Sequence, residues 1–241
     1  KGRELDGIHF AMDFLSEQNR WNDNPKDREI TAKDKNVVII GGGDTGADCL
    51  GTSIRQGAKS ITQIEIMPEP PEFRINNNPW PEWPMILRTS SAHEEGGNRQ
   101  YSILTDHFTG KNKLEKLICE KVEWEKDIAT GKFNMKKIEN SKFEIKSELV
   151  LLAMGFVHPL QEGLLSDLNV EFDDRGNVKT DNNMMTNVSK VFSCGDMERG
   201  QSLVVHAIAS GRSCAKKIDT FLEGSSNLPD VRGYFRKIKT K

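Results

Sequence analysis

A chain of 241 residues amounts to one large domain or two modest ones at ~150 residues per domain, enough to bury a real core. Hydrophobic residues make up 36% and there are 20 glycines besides, which argues against wholesale disorder. Lys and Arg number 34 against 36 Asp and Glu, a net charge of -2, so no basic excess points to nucleic acid or an anionic membrane; the expected partner is a protein or a small molecule.

The longest apolar runs, such as Val37 to Ile40 and Leu149 to Ala153, fall far below the ~18 residues of a membrane span. Cys49, Cys119, Cys194 and Cys214 are scattered with no C-x-x-C among them, so reduced thiols are expected rather than a disulfide framework, a zinc site or an iron–sulfur site. The chain begins without methionine, which leaves room for an upstream segment, including a targeting one; a cytoplasmic protein is the expectation otherwise.

Residues Lys1 to Lys35 are polar, with an amphipathic stretch at Ile8, Phe10, Ala11, Phe14 and Leu15 that predicts a short helix and a connector rich in Asn, Asp, Pro and Lys from Asn22 to Asp27. Val37 to Ile40 then reads as a strand running into Gly41-Gly42-Gly43-Asp44-Thr45-Gly46, followed by a helix with Ala47, Leu50 and Ile54 on one face and Gly57 at its C-cap. Ile61, Ile64 and Ile66 mark a second strand, stopped by Pro68, Pro70 and Pro71, which completes a βαβ unit. From Pro68 to Gln100 the chain makes an excursion that includes Asn78-Pro79-Trp80-Pro81-Glu82-Trp83-Pro84, and its two tryptophans favour an ordered loop, read as a lid. Leu114 to Trp124, Phe133 to Ile138 and Phe143 to Ala153 are strand-like, with a turn at Thr130-Gly131, so a β-meander leads back to a buried strand at Leu149 to Leu152. Beyond it lie a short strand at Lys190 to Ser193, the sequence Cys194-Gly195-Asp196, a helix from Ser202 to Leu222 capped by Gly224, and a charged tail ending at Lys237 to Lys241.

The turn carries the chemistry. Gly41, Gly43 and Gly46 in the order G-x-G-x-x-G, after an aliphatic strand and before an amphipathic helix, give a tight turn, close backbone approach to a pyrophosphate and tight helix-to-sheet packing. The helix N-terminus supplies N–H groups and positive dipole to the phosphates. An acidic residue for the ribose hydroxyls is due ~20 residues on, and Glu65 stands there. Its carboxylate repels a 2′-phosphate, and neighbouring Ile66 and Met67 offer that phosphate no cation, so the sequence reads as NADH over NADPH. The plainer readings are a turn that only joins strand to helix and a solvent-facing strand glutamate.

Ala153-Met154-Gly155-Phe156 after a buried strand and Val191-Phe192-Ser193-Cys194-Gly195-Asp196 further on look like the two junctions of flavoproteins built from two dinucleotide-binding domains. Gly195 to Val205, Ala207-Ile208 and Gly211-Arg212 are similar to the C-terminal flavin segment of the glutamate synthase small subunit family. Gly2 to Leu5, Gly7 to Leu15, Gly41 to Ile54, Asn78 to Pro84 and Gln100 to Leu104 also resemble that family, particularly its NADH-type fused forms. The resemblance implies an α/β fold in which a Rossmann-like NAD(P)-binding domain is inserted in an incomplete FAD-binding domain: residues 1–35 as FAD-domain remnant and connector, 36–154 as the NAD(P)H domain, and 155–241 as the C-terminal part of the FAD domain. It implies a reductase passing hydride from NAD(P)H to FAD, with electrons continuing through Fe-S centres to an FMN-containing large synthase region that makes glutamate from glutamine and 2-oxoglutarate.

Hydride transfer calls for orientation more than for acid or base groups, so no catalytic side chain is nominated. The resemblance assigns Asp196 to the FAD ribityl chain and the backbone N–H groups of Gln201, Ser202 and Leu203 to the pyrimidine edge of the flavin, with Asp44, Thr45, Gly155 and Gly195 as further cofactor-binding positions. Only one G-x-G-x-x-G occurs and clustered cysteines are missing, so the expectation is a C-terminal fragment that binds FAD poorly or not at all, its Fe-S and FMN lying in other regions. His206 stands where a tryptophan is common and reads as a packed histidine, while His93 reads as part of a polar surface loop. Two other readings stay open: a non-catalytic nucleotide-binding module that docks a partner, and a related reductase feeding pyrimidine reduction or a ferredoxin.

Overall fold

The computed structural model describes every residue except 26–27, 81–82, 128–132 and 230–241, so the Thr130-Gly131 turn, Pro81-Glu82 and the Lys237 to Lys241 tail lie outside the described residues. The fold is α/β, with a parallel and an antiparallel sheet, and the chain divides into two compact units, Lys1–Gly155 and Phe156–Lys241.

The first unit contains β1 (Ile8–Phe10), α1 (Ala11–Asp23), β2 (Asn36–Ile40), α2 (Asp44–Arg55), β3 (Ser60–Ile64), α3 (Ser91–Glu94), β4 (Asn98–Gln100), β5 (Ile103–Gly110), β6 (Leu114–Lys126), β7 (Phe133–Lys137), β8 (Phe143–Lys146) and β9 (Leu149–Leu152). A parallel sheet runs in the order β1-β9-β2-β3-β4, and β5, β6 and β7 form an antiparallel sheet with β8 also paired to β6. Strands of a parallel sheet are covered on both faces and so read as continuous aliphatic runs. Alternation sorts those runs: Val37, Ile39, Leu149 and Leu151 face a cluster with Phe14, Cys49 and Leu50, while Val38, Val150 and Leu152 face a second cluster with Ile103, Leu117 and Cys119.

Three local readings change. The stretch read as one helix from Ile8 opens as a strand, β1, whose Ile8 registers against Val150 of β9, in the same compact unit. Phe143 to Ala153 splits into β8 and β9, because the backbone N–H of Glu148 and the Ser147 hydroxyl both donate to the carbonyl of Asn36, turning the chain from one sheet into the other. Glu148 returns the tie by accepting from the backbone and side-chain N–H groups of Asn36 at 2.7 and 2.9 Å.

In the second unit, α4 (Leu164–Asp167) and α5 (Asp196–Arg199) are single turns and α6 (Val204–Glu223) is long. Gly224 ends α6 in the left-handed conformation at φ 77°, its N–H donating to the Thr220 carbonyl, as the glycine cap predicts. The expected strand at Lys190 to Ser193 is reduced to one bridge between Phe192 and Met185, since the segment is short and its neighbours turn away through Asx-type bonds of Asp181. The buried cluster of this unit is small: Leu165, Val170 and Val178, flanked by Phe172 and Val188.

Candidate functional site: the glycine turn between β2 and α2

At the carboxyl end of β2 the chain reverses over the end of β9. Gly41 adopts φ 124°, and a Cβ there would lie 2.2 Å from the Ala153 carbonyl oxygen, so both conformation and space demand glycine. Gly46 is required for another reason: a Cβ would meet the Gly41 oxygen at 2.4 Å and Gln63 Nε2 at 2.5 Å. Gly43 is different again. It is the N-cap of α2 in extended conformation, and a Cβ on it would meet nothing within 4 Å, so the structure leaves open space where the second glycine of the motif admits a ligand. No side chain caps α2, so its first-turn N–H groups, starting at Asp44 and Thr45, are available to an anion.

Glu65 follows β3 directly and folds back onto this turn. Its Oε2 accepts the Gly42 N–H at 2.6 Å and its Oε1 the Met67 N–H at 3.0 Å. A carboxylate has about four lone-pair sites, so two remain for a diol. The sequence pairing of Gly41, Gly43, Gly46 and Glu65 is thus one constellation in space. An acceptor beside the turn, open space at Gly43 and an uncapped helix fit an adenine dinucleotide.

His93 was legible only as a polar loop residue, yet it supports the turn. It sits at the third position of α3, where its Nδ1 accepts the Ser90 N–H at 3.2 Å, the return half of a capping box. Its Nε2 meets Gln63 Oε1 at 2.9 Å, and Gln63 Nε2 donates to the Gly41 carbonyl at 2.8 Å. Burial, and Arg99 nearby, push the His93 pKa below its usual value, against Asp44 pulling it up. A glutamine buried to 2% exposure in a strand of isoleucines was the available signal, since a buried amide requires partners.

The excursion is ordered by Asn78. Its buried side chain accepts the Met85 N–H at 2.8 Å and donates to the Trp83 carbonyl at 3.1 Å, while Arg88 stacks over the Trp83 ring at 4.4 Å. Trp80 remains 82% exposed. Gly155, at φ 87°, ends the first unit with open space around it.

Within the second unit, Gly195 (φ 68°) donates its N–H to the buried Ser210 hydroxyl at 2.9 Å, pinning the turn that carries Asp196 onto α6. Asp196 is exposed and opens α5; the Gln201 side chain donates to the Phe156 carbonyl; exposed Ser202 and half-buried Leu203 lead into α6, with Leu203 as its N-cap. That N-terminus has no side-chain cap and no acidic residue in its first turn, and Val204 and Ile208 beside it are 75% and 58% exposed. An uncapped twenty-residue helix with apolar side chains at its start fits a planar ring whose edge carries negative charge.

All four cysteines are free; burial pushes the Cys49 thiol up to about 12 and the Cys119 thiol up to about 11. Among the described residues, no His, Cys, Asp and Glu group is placed to hold a metal ion, and no helix is long and apolar enough to cross a membrane.

A family profile for pyridine nucleotide-disulphide oxidoreductases matches residues 103–211, from β5 into α6. The glutamate synthase [NADPH] small chain of Mycobacterium tuberculosis is 52% identical over 235 residues, covering 95% of this chain and 47% of that one. The chain is a homologue of the glutamate synthase small chain. Glutamate synthase [NADH] of Schizosaccharomyces pombe is 40% identical over 98% of this chain and 12% of its own length. The chain thus spans about half the length of the small-chain relatives it matches. Among solved structures, M. tuberculosis FprA in complex with NADPH superposes with a TM-score of 0.64 at 15% identity, over 98% of this chain and 64% of that one, a likeness of fold.

Proposed function

We propose that the chain is the nicotinamide-dinucleotide-binding part of a glutamate synthase reductase, with residues 156–241 contributing to an FAD site, and that it works with a large FMN-containing, glutaminase-bearing synthase region, fused or separate. The observation that carries this reading is the Glu65 carboxylate hydrogen-bonded to Gly42 in the turn whose first and third glycines the packing requires. Homology to the small chain supports the reductase role.

Bound NAD(P)H would supply a hydride and FAD would accept it. The chain's own residues bind and orient. The open backbone at Gly43 and the first turn of α2 receive the pyrophosphate, and Glu65 accepts from the adenosine ribose hydroxyls while opposing a 2′-phosphate. NADH is therefore the preferred donor in this reading, although the M. tuberculosis relative carries NADPH in its name. In the second unit, Gly195, Asp196 and the segment Gln201 to Leu203 orient the flavin by backbone N–H groups and one carboxylate, and the α6 N-terminus favours its reduced, negative form. Iron–sulfur centres and FMN belong to other parts of such an enzyme.

Titration with NADH and NADPH at fixed ionic strength, followed by tryptophan quenching, tests the reading. Saturable binding with NADH favoured is expected, and Glu65→Gln should weaken NADH about tenfold, ~1.4 kcal/mol, while NADPH gains. Equal affinities for the two nucleotides, unmoved by Glu65→Gln, would remove Glu65 from the site; no saturation with either would remove the turn.

A further inference from the structure

The carboxyl ends of β2, β9 and β1 lie in one row, because Leu152 registers with Ile40 on one side and with Phe10 on the other. The strand order switches direction at β2: β3 and β4 extend the sheet one way from it, β9 and β1 the other. In open parallel sheets a ligand lies across the carboxyl edge at such a switch point. Here that point is where Gly41 passes over the end of β9, a Cβ on it falling 2.2 Å from the Ala153 oxygen and 3.4 Å from the Met154 nitrogen.

Glu65 follows β3 and bonds to Gly42, so it draws the adenosine half of a dinucleotide to the β3 side of the turn. With the pyrophosphate at the turn, the other nucleoside must run the opposite way, over β9 and β1. The far strand, β1, is two places from β2, roughly 10 Å at ~4.8 Å per strand. On that side two large apolar side chains stand in solvent: Met154 is 67% exposed and Phe10 57%, although Leu152 and Ile8, two residues before them, are buried. Phe10 is on the same face of β1 as Ile8, but at the strand's last position, outside the cluster that encloses Ile8 and Leu152. Met154 lies beyond the last residue of β9. The Phe10 ring is held from one face. Arg3 Nη1 donates to the Ile8 carbonyl at 3.0 Å, and its guanidinium carbon stands 5.0 Å from the ring centroid.

We infer that Phe10 and Met154 seat the nicotinamide ring of the dinucleotide bound at the Gly41 turn. The inference rests on the reading of that turn and adds to it the direction in which the reactive ring lies and the side chains that hold it. A reduced nicotinamide is planar and uncharged, and packing it on a phenyl ring and a thioether takes apolar surface of all three groups out of water. Neither side chain can donate or take a proton at neutral pH; what they contribute is the position of the ring.

The test compares NADH with ADP-ribose, the same molecule without its nicotinamide ring, by calorimetric titration of the wild type, F10A and M154A. The expected result is that the wild type binds NADH about tenfold more tightly than ADP-ribose, that F10A loses about fivefold and M154A about threefold in NADH affinity, and that ADP-ribose affinity moves in neither variant. The wild-type comparison needs no variant, so it holds even if a substitution impairs folding. Equal wild-type affinities for the two ligands overturn this inference alone, since the ring then makes no contact. So do variants that weaken both ligands alike, which marks a structural role, and variants that leave the NADH preference intact, which puts the ring elsewhere. Absence of saturable binding of either ligand overturns it together with the assignment of the turn.

Discussion

Between Lys1 and Gly155, the apolar residues of β2 and β9 alternate into two buried clusters, and Val37, Val38, Ile39 and all of β9 are enclosed. Among the described residues beyond Gly155 the cluster is Leu165, Val170 and Val178, and the twenty residues of α6 bury Ala209, Ser210, Ser213 and Cys214 while Val204, Ile208, Phe221 and Leu222 are exposed. The difference separates two ways of making a site. In the first unit the turn is a consequence of core packing, since Gly41 and Gly46 are dictated by backbone and side chains they touch. In the second, Gly195 is dictated by its left-handed backbone, with Ala207 Cβ no nearer than 3.9 Å.

The contrast can be broken hardest at Gly41. Gly41→Ala is expected to cost roughly 3 to 5 kcal/mol, because a positive-φ penalty adds to a backbone clash, and NADH binding should vanish with it. A thermal melt and a titration check both; a melting temperature within a degree or two of wild type would mean the turn is far softer than its contacts. Leucine truncations sharpen the comparison at fixed chemistry. Leu151→Ala, in the doubly covered β9, should lose about 4 kcal/mol by urea unfolding, and Leu165→Ala about 2 kcal/mol, the gap reflecting how readily each site closes around the cavity. Equal losses would show that the small cluster is packed as rigidly as the sheet.

The smallest effect expected is that of acid. Burial lowers the pKa of His9, more than Asp6 raises it, and likewise lowers that of His93. A lowered folded-state pKa means that the native protein binds fewer protons than the unfolded chain, so these groups contribute stability above about pH 6.5 that is lost as pH falls toward their folded values. The urea midpoint should therefore drop between about pH 7.5 and 5.5, and His9→Gln should remove part of that drop.

Much of the first unit was legible because its signals are local. Four aliphatic residues, a glycine turn and a helical face within twenty residues specify strand, turn and helix through φ, ψ and period alone, and Gly57 ends its helix where the residue type requires, as Gly224 does in the second unit. Glu65 was legible by its distance from Gly46. The sheet membership of β1 was not, because its three residues gain their identity from a partner, β9, near the other end of the unit. Nor was the break at Ser147-Glu148, which depends on the carbonyl of Asn36.

His93 marks the boundary between the two kinds of knowledge. The order and spacing of Gly41, Gly43, Gly46 and Glu65 determined by themselves that a glycine turn joins β2 to α2 and that a carboxylate falls at the end of β3, since backbone conformation and strand length fix where those residues fall. Only the tertiary structure decided that a histidine 30 residues beyond Gln63, and a glutamine 22 residues beyond Gly41, support that turn. A hydrogen bond is directional and short, and nothing in the spacing of residues along a chain states which distant groups the packing will bring within 3 Å.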